Sequence, residues 1–411
     1  MGRSAWLGVL QIISGNAFRQ GLIFASMLVV ARLYEKEALG ELTLFIAVVN
    51  IAQNIVFLKG EYRLITDPKR SDYIDGFLYS LIFMCISCVF LGLGFAISKG
   101  EMVSGLFYIL CFLFVFFPAL IEKALGRGGD YSQITKIRAG DGVFQSVTPV
   151  LLGLIKPQSE FLIAGRAFGF GFALMVFSQL RDFTARICLL AYRRFRRKGI
   201  YFDAFLRTAS RNKYLIASGF ITSLSVNLPI IAIATFFTNE DLGVYGMVSR
   251  ILGVPITLIG ASLSTVFIAE CNKVRRRNES GILKILYVFS GISFFLGVCV
   301  YFGCLHSSAM FGVLLGQEWG EAGEIASIMA IHFGMQMFVN PISTIAITLD
   351  ETRAQSVFDL MRLFVLATVV LALQDFGLEV MLYVFSVASG VVYLAYYMFF
   401  WSRCKRYEKK L

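Results

Sequence analysis

Hydrophobic positions in this chain come in long unbroken stretches, not in the short alternating or three-to-four-residue rhythms of soluble strands and helices. A helix needs about 17–25 mostly apolar residues to cross ~30 Å of hydrocarbon, and the chain offers about twelve such stretches. In the first half they are Trp6–Val30, Leu42–Leu58, Ile74–Ile97, Met102–Ile121, Ala139–Ile155 and Phe161–Leu180. The second half offers Tyr214–Phe237, Val244–Ala269, Ile282–Leu305, Ile325–Leu349, Val357–Leu373 and Val380–Phe400. The fifth and eleventh are the shortest. The first is too long for a signal-peptide core, carries Arg19 at its centre and lacks an A-x-A-like end, so it is expected to remain as a helix.

Polar positions between the stretches give the sidedness. Positively charged loops resist translocation and stay cytoplasmic. Of the 38 Lys and Arg, twenty-nine fall at the termini and in every second connection, four in the intervening connections and five inside spans, one of them Lys284 at the very start of its span. Both termini are therefore expected in the cytoplasm. Losing any one span would scramble this asymmetry in every later loop.

The longest hydrophilic connection, 181–213, holds the run Arg193-Arg194-Phe195-Arg196-Arg197-Lys198. It divides the chain into 1–180, a basic cytoplasmic linker at 181–213, and 214–411, with six spans expected on either side. The linker reads as an anchor along anionic headgroups, at about 1 kcal/mol per nearby charge, or as a dock for cytoplasmic partners. A weak repeat ties the halves together. Ala31-Arg-Leu-Tyr34-Glu-Lys-Glu37-Ala-Leu39-Gly40 and Ala234-Thr-Phe-Phe237-Thr-Asn-Glu240-Asp-Leu242-Gly243 share four identities over ten positions, each following the first span of its half. An even number of spans per half makes such repeats parallel, related by a pseudo-two-fold along the membrane normal, with cargo bound between them.

Composition closes off the soluble alternatives. Hydrophobic residues make up 57% and charged residues 16% of the chain, and mean hydropathy is +0.72, against about 25% charge in an ordinary soluble domain. The net charge of +11 follows from cytoplasmic-loop bias and implies no nucleic-acid partner. Eight cysteines sit within spans or in segments assigned to the cytoplasm, where disulfides are not expected. Cys85 and Cys88 form a C-x-x-C in an apolar segment with no second pair or nearby His, so no metal site and no cofactor is expected.

Ionisable residues inside spans are costly in lipid and mark functional paths. Arg19, with Asn16 and Gln20 beside it, sits near the middle of the first span. Arg250 lies seven residues into the eighth, ahead of Pro255 and a stripe of Thr257, Ala261 and Ser264. Both are read as facing a hydrated cavity that would suit a phosphate-bearing or acidic cargo, since the guanidinium fork matches phosphate. The rival reading is an internal ion pair with Asp or Glu of another span. Arg166 and Arg362 complete the set of cavity cations, although each lies five residues into its span, close enough to snorkel. The tenth span presents His332, Gln336, Asn340 and Thr344 along one face, with Pro341 expected to kink it. Asn227 beside Pro229, and Asn50, Gln53 and Asn54, are further candidate lining. Asp359 is the candidate for ion coupling, with an i,i+3 pair to Arg362 as its plain explanation.

Catalysis is not indicated. There is no Walker loop, G-x-S-x-G or H-E-x-x-H motif and no aspartate cluster, and the longest connection on the far side spans only about His306 to Glu324.

Several stretches resemble a known family. Ser225-Val-Asn227-Leu-Pro229, Leu242-Gly243-x-Tyr245, Arg250-Ile-x-x-x-Pro255, Gly316-Gln-Glu-Trp319-Gly-Glu-Ala322-Gly323 and Val339-Asn-Pro341-Ile-Ser343 are similar to the second half of the O-antigen and polysaccharide-unit flippases of the multidrug/oligosaccharidyl-lipid/polysaccharide (MOP) exporter superfamily. Ala31-Arg32-Leu33-Tyr34 with Leu39-Gly40, and Tyr131-x-x-Ile134-x-Lys136-Ile137-Arg138, extend the resemblance to the first half. It implies a MATE-like, all-α membrane fold. It also implies a non-enzymatic, ion-coupled flippase in a bacterial inner membrane that moves an undecaprenyl-pyrophosphate-linked oligosaccharide to the periplasmic leaflet. Partners would be that lipid-linked oligosaccharide, membrane lipids and other polysaccharide assembly proteins, with the chain itself a monomer. The lipid II flippases of the superfamily have extra C-terminal spans. Drug exporters of the same superfamily, and a non-transporting scaffold for glycan assembly, stay open as alternatives.

Overall fold

The computed structural model describes residues 3–57, 70–126, 131–198, 202–277, 281–349 and 351–408. Leu58, where the second span was expected to end, and 199–201 of the expected linker lie outside the described residues. Among the described residues every regular element is helical. In lipid this follows from the backbone, whose amide groups find no water and must bond within their own segment.

The chain packs as two compact units, Met1–Ser223 and Leu224–Leu411. The first contains α1 (Arg3–Leu33), α2 (Lys36–Ala52), α3 (Arg70–Lys99), α4 (Met102–Gly126), α5 (Tyr131–Ile155), α6 (Ser159–Val176), α7 (Ser178–Lys198) and most of α8 (Phe202–Phe236). The second contains the end of α8, then α9 (Asn239–Arg277), α10 (Ile282–Leu305), α11 (Ser307–Leu315), α12 (Gly320–Ile328), α13 (Ala330–Ser343), α14 (Ile345–Thr348), α15 (Thr352–Leu373) and α16 (Leu378–Glu408).

Among the described residues seven helical segments are long and apolar enough to cross a membrane: Tyr73–Lys99, Met102–Gly126, Ile216–Phe236, Asn239–Arg275, Ile282–Leu305, Arg353–Phe376 and Leu378–Glu408. An eighth is a broken one, Gln317–Ile328 followed by Ala330–Ser343 at 57°. The other four expected spans fall on α1, α2, α5 and α6. α2 has only 17 residues, and the other three carry Arg19, Asp141 and Arg166. These four helices pack on one another, α1 on α5, α5 on α6 and α6 on α2, so protein rather than lipid meets their polar side chains.

One expectation needs correction. The bend in the tenth span falls at Met329, well before Pro341, which α13 accommodates in its interior before ending at Ser343. The described part of the basic linker is helix α7 and the start of α8. The fifth span is also longer than expected, since α5 begins at Tyr131.

The repeat coincides with a shared local structure. α1 ends at Leu33 and α2 starts at Lys36; α8 ends at Phe236 and α9 starts at Asn239. Each break thus comes at the same point of the repeated motif, and Leu39 and Leu242 are both fully buried. The second copy is locked by a capping box: Thr238 Oγ1 accepts from the Asp241 amide at 3.1 Å, while Asp241 Oδ2 accepts from the Thr238 amide at 3.1 Å.

Helices in lipid gain little hydrophobic drive from meeting each other and rely on close packing. In the first unit, rings of α2, α3 and α4 supply it, with Phe95 stacked on Tyr108 at 4.1 Å and Phe45 against Phe112 at 5.0 Å. In the second, Phe267, Leu286, Phe338, Ile342, Tyr393 and Phe400 join α9, α10, α13 and α16. Large exposed apolar side chains such as Phe90, Ile97, Phe295 and Phe364 form the lipid-facing surface. All eight cysteines are free thiols.

Candidate functional site

Polar chemistry inside the first unit is concentrated where α1, α5 and α6 meet. Gly142 lets α5 approach α1 closely; a Cβ there would lie 2.8 Å from the Arg19 Cα. Asp141, on the adjoining position, is buried at 3% exposure and is electrostatically coupled to Arg19. Glu122 of α4 and Arg138 of α5 surround them and are themselves bonded, with Arg138 Nη2 donating to Glu122 Oε1 at 2.7 Å. Arg19 and Asp141 thus lie in the same seam between α1 and α5. Asn16, a turn earlier, is half-buried.

Asp141 and Gln145 were not singled out from the sequence. Asp141 Oδ1 and Gln145 Nε2 are both buried without hydrogen-bond partners among the described residues. The signal for Asp141 was available, an acid inside the fifth stretch as drawn, two residues past its start at Ala139. An acid so near a span end draws no attention; with α5 starting at Tyr131 it lies well within the helix.

Arg166 does not snorkel. It is buried at 7% exposure, and its Nη1 donates to the Gln145 carbonyl at 3.0 Å. The reason lies four residues on. Pro149 has no N–H, so the Gln145 carbonyl loses its helical donor, and Arg166 takes that place from α6. The approach depends on Gly165 and Gly169, where a Cβ would lie 2.8 Å from Pro149 Cα and 2.7 Å from the Gln145 amide nitrogen. Tyr34 completes the arrangement by donating its hydroxyl to the Pro149 carbonyl at 2.8 Å.

In the second unit, Arg362 of α15 departs from the expected pair with Asp359 and lays its guanidinium over the Tyr393 ring of α16, 4.6 Å from the centroid. Its Nε is buried without a hydrogen-bond partner among the described residues. His332 lies beside this group, coupled to Arg362. It is buried at 8% exposure between α13 and α16, its Nδ1 2.8 Å from Ser389 Oγ and its backbone N–H donating to Ser386 Oγ at 3.1 Å. His332 is thus held in a packed helix contact. Gln336 and Asn340, further along the same face, are half-buried. Ser264 of α9 donates to the Pro341 carbonyl at 3.0 Å and Tyr396 of α16 to the Ser343 carbonyl at 3.2 Å.

Asn227 is buried ahead of Pro229 in α8, and the neighbouring Ser225 donates to the Asp359 carbonyl at 3.4 Å. Arg250 is half-buried on α9, before Pro255. Asn50 and Gln53 are exposed at the end of α2. Arg19, Asn16 and Arg166 thus fall on α1 and α6 beside α5, and His332, Gln336, Asn340, Asp359 and Arg362 on α13 and α15, while Asn227 and Arg250 lie on α8 and α9.

A cavity of about 580 Å³ in the second unit is lined by Glu240, Asp241, Glu321, Glu324 and Glu379. These acids sit in the first turns of α9, α12 and α16 or beside them, where the helix dipole favours negative charge. Among the described residues no group of His, Cys, Asp and Glu is arranged to hold a metal ion.

The fold has solved counterparts. An inward-facing multidrug-resistance MATE-family transporter of the MOP superfamily matches with a TM-score of 0.65 at 15% identity, covering 95% of this chain and 96% of that one. A mutant of the Vibrio cholerae MATE transporter VcmN matches with a TM-score of 0.58 at 12% identity, covering 97% and 96%. A MATE protein in complex with MaD3S matches with 0.57 at 13%, covering 98% and 96%. No curated protein matches the chain in sequence. The profile of the family described as polysaccharide biosynthesis protein matches residues 159–324. The chain is a multi-pass membrane protein with the fold of the MATE transporters of the MOP superfamily, and its central stretch carries the sequence pattern of the polysaccharide biosynthesis proteins.

Proposed function

We propose that this protein is a flippase that carries an undecaprenyl-pyrophosphate-linked oligosaccharide, an O-antigen or related repeat unit, from the cytoplasmic to the periplasmic leaflet of a bacterial inner membrane. The observation that carries this reading is the polysaccharide-biosynthesis match over residues 159–324 on a chain with a transporter fold. Both termini would be cytoplasmic. Residues 1–180 and 214–411 would form the two bundles that expose cargo alternately, driven by an ion gradient. Arg19 and Arg250 are the side chains assigned to the pyrophosphate, whose oxygens suit the guanidinium fork.

The test is surface polysaccharide in cells lacking their own flippase, supplied with wild type, Arg19→Ala or Arg250→Ala at matched membrane abundance. Loss of surface glycan with accumulation of its lipid-linked precursor is expected. Normal export by both variants would overturn the assignment. The MATE neighbours favour drug extrusion as the second reading, which predicts unchanged surface glycan and raised sensitivity to cationic drugs when the protein is removed.

A further inference from the structure

Helix α7 differs from every neighbouring helix in what it shows to its surroundings. One face is packed: Leu180, Ile187 and Ala191 are buried, with Thr184 and Arg194 half-buried along the same line. Arg194 fastens that face to α3, its Nε and Nη2 donating to Asp75 Oδ1 and Oδ2 at 2.7 and 2.8 Å. The N-terminal end is held by α5, where Lys136 Nζ donates to Gln179 Oε1 at 3.4 Å. The helix is therefore a fixed part of the first unit, not a loose tether.

Its other face remains open. It presents Leu189, Tyr192 and Phe195, each more than two-fifths exposed, flanked by the exposed arginines Arg181, Arg186, Arg193 and Arg196. Asp182 is the single acid in the helix. Water is a poor environment for those three apolar side chains, and a hydrocarbon interior is a poor one for the four arginines. A headgroup layer satisfies both, with rings and aliphatic groups at the acyl boundary and guanidiniums among phosphates.

We propose that α7 is an interfacial helix that binds anionic phospholipid, with Leu189 and Tyr192 inserted at the acyl boundary and Arg186, Arg193 and Arg196 on the headgroup phosphates. Charge complementarity selects the lipid: a zwitterionic headgroup carries no net charge to offset four cations. Because Arg194 and Asp75 hold α7 on α3, lipid bound there bears on the first unit directly. This site does not depend on what the protein transports.

The test uses the full-length protein carrying Leu189→Trp, reconstituted into vesicles of brominated phosphatidylglycerol or brominated phosphatidylcholine, with quenching read as the difference from the unsubstituted protein. Quenching is expected from both lipids, with a relative binding constant favouring phosphatidylglycerol. That preference should fall about fivefold per arginine replaced by Gln at positions 186, 193 and 196, and on the order of 100-fold for all three. Replacement of the same three by Lys should keep it, which separates charge from damage to the fold. Equal quenching by the two lipids, or loss of preference in the Lys variant, would overturn anionic selectivity. Absence of quenching by either lipid would place α7 off the membrane and make its open face a protein-binding surface instead.

Discussion

Arg166 and Pro149 form a pair whose coupling can be measured. Pro149 leaves the Gln145 carbonyl without a helical donor, and Arg166 Nη1 donates to it at 3.0 Å in a buried site. Replacing Arg166 by Met removes the donor and keeps most of the volume. A hydrogen bond from a charged group contributes about 1.5–3 kcal/mol in soluble proteins, whereas double-mutant couplings within membranes average ~0.6 and reach ~1.7 kcal/mol. A loss of about 1–2 kcal/mol is therefore expected for Arg166→Met, by the upper membrane figure and the lower soluble one. Pro149→Ala supplies the missing N–H. In the wild-type background it should gain little, because Arg166 already occupies the carbonyl. In the Arg166→Met background it should recover about 1 kcal/mol. The assay is reversible unfolding in mixed micelles with rising dodecyl sulfate, run on all four members of the cycle. Equal effects of Pro149→Ala in both backgrounds, within the ~0.3–0.5 kcal/mol expected of independent sites, would refute the idea that arginine replaces the missing amide.

The same unfolding assay tests the α5–α6 seam. Gly169→Ala should cost about 1–3 kcal/mol because its Cβ would press on backbone 2.7 Å away, while Gly253→Ala, with open space around it, should be near neutral. Arg194→Gln should cost no more than ~1 kcal/mol overall yet raise the rate at which trypsin cuts α7, since that bidentate bond to Asp75 is what fastens its C-terminal half.

Span positions were readable from the chain because hydrophobic length is a one-dimensional property. The same holds for the break between Leu33 and Lys36 and its repeat between Phe236 and Asn239, which local residues set. The partner of Arg166, read as a cavity cation close enough to a span end to snorkel, was not legible, because distance from a span end says nothing about which neighbour waits across the helix. Its partner is a carbonyl orphaned by a proline on a different segment, and only the approach permitted by Gly165 and Gly169 brings the two together. Likewise Arg362 sits three residues from Asp359, the natural guess, and yet finds Tyr393. The bend at Met329 escaped a reading that gave all kinks to proline. Basic residues of α7 were visible as a charge run, but helical spacing alone could not tell which of them, Arg194, turns inward.

Chain order gives the packing of α1 on α5 a consequence for biogenesis. α1 leaves the ribosome long before α5, so its arginine reaches the bilayer with none of the polar groups of α5 to meet. Holding that helix at mid-membrane costs about 2.5–3.5 kcal/mol on insertion scales, and the apolar residues around Arg19 must offset it or the helix must wait beside the translocon. Arrival of α5 ends the wait. A helix made early is thus secured late, and its stable insertion depends on a helix still to be translated.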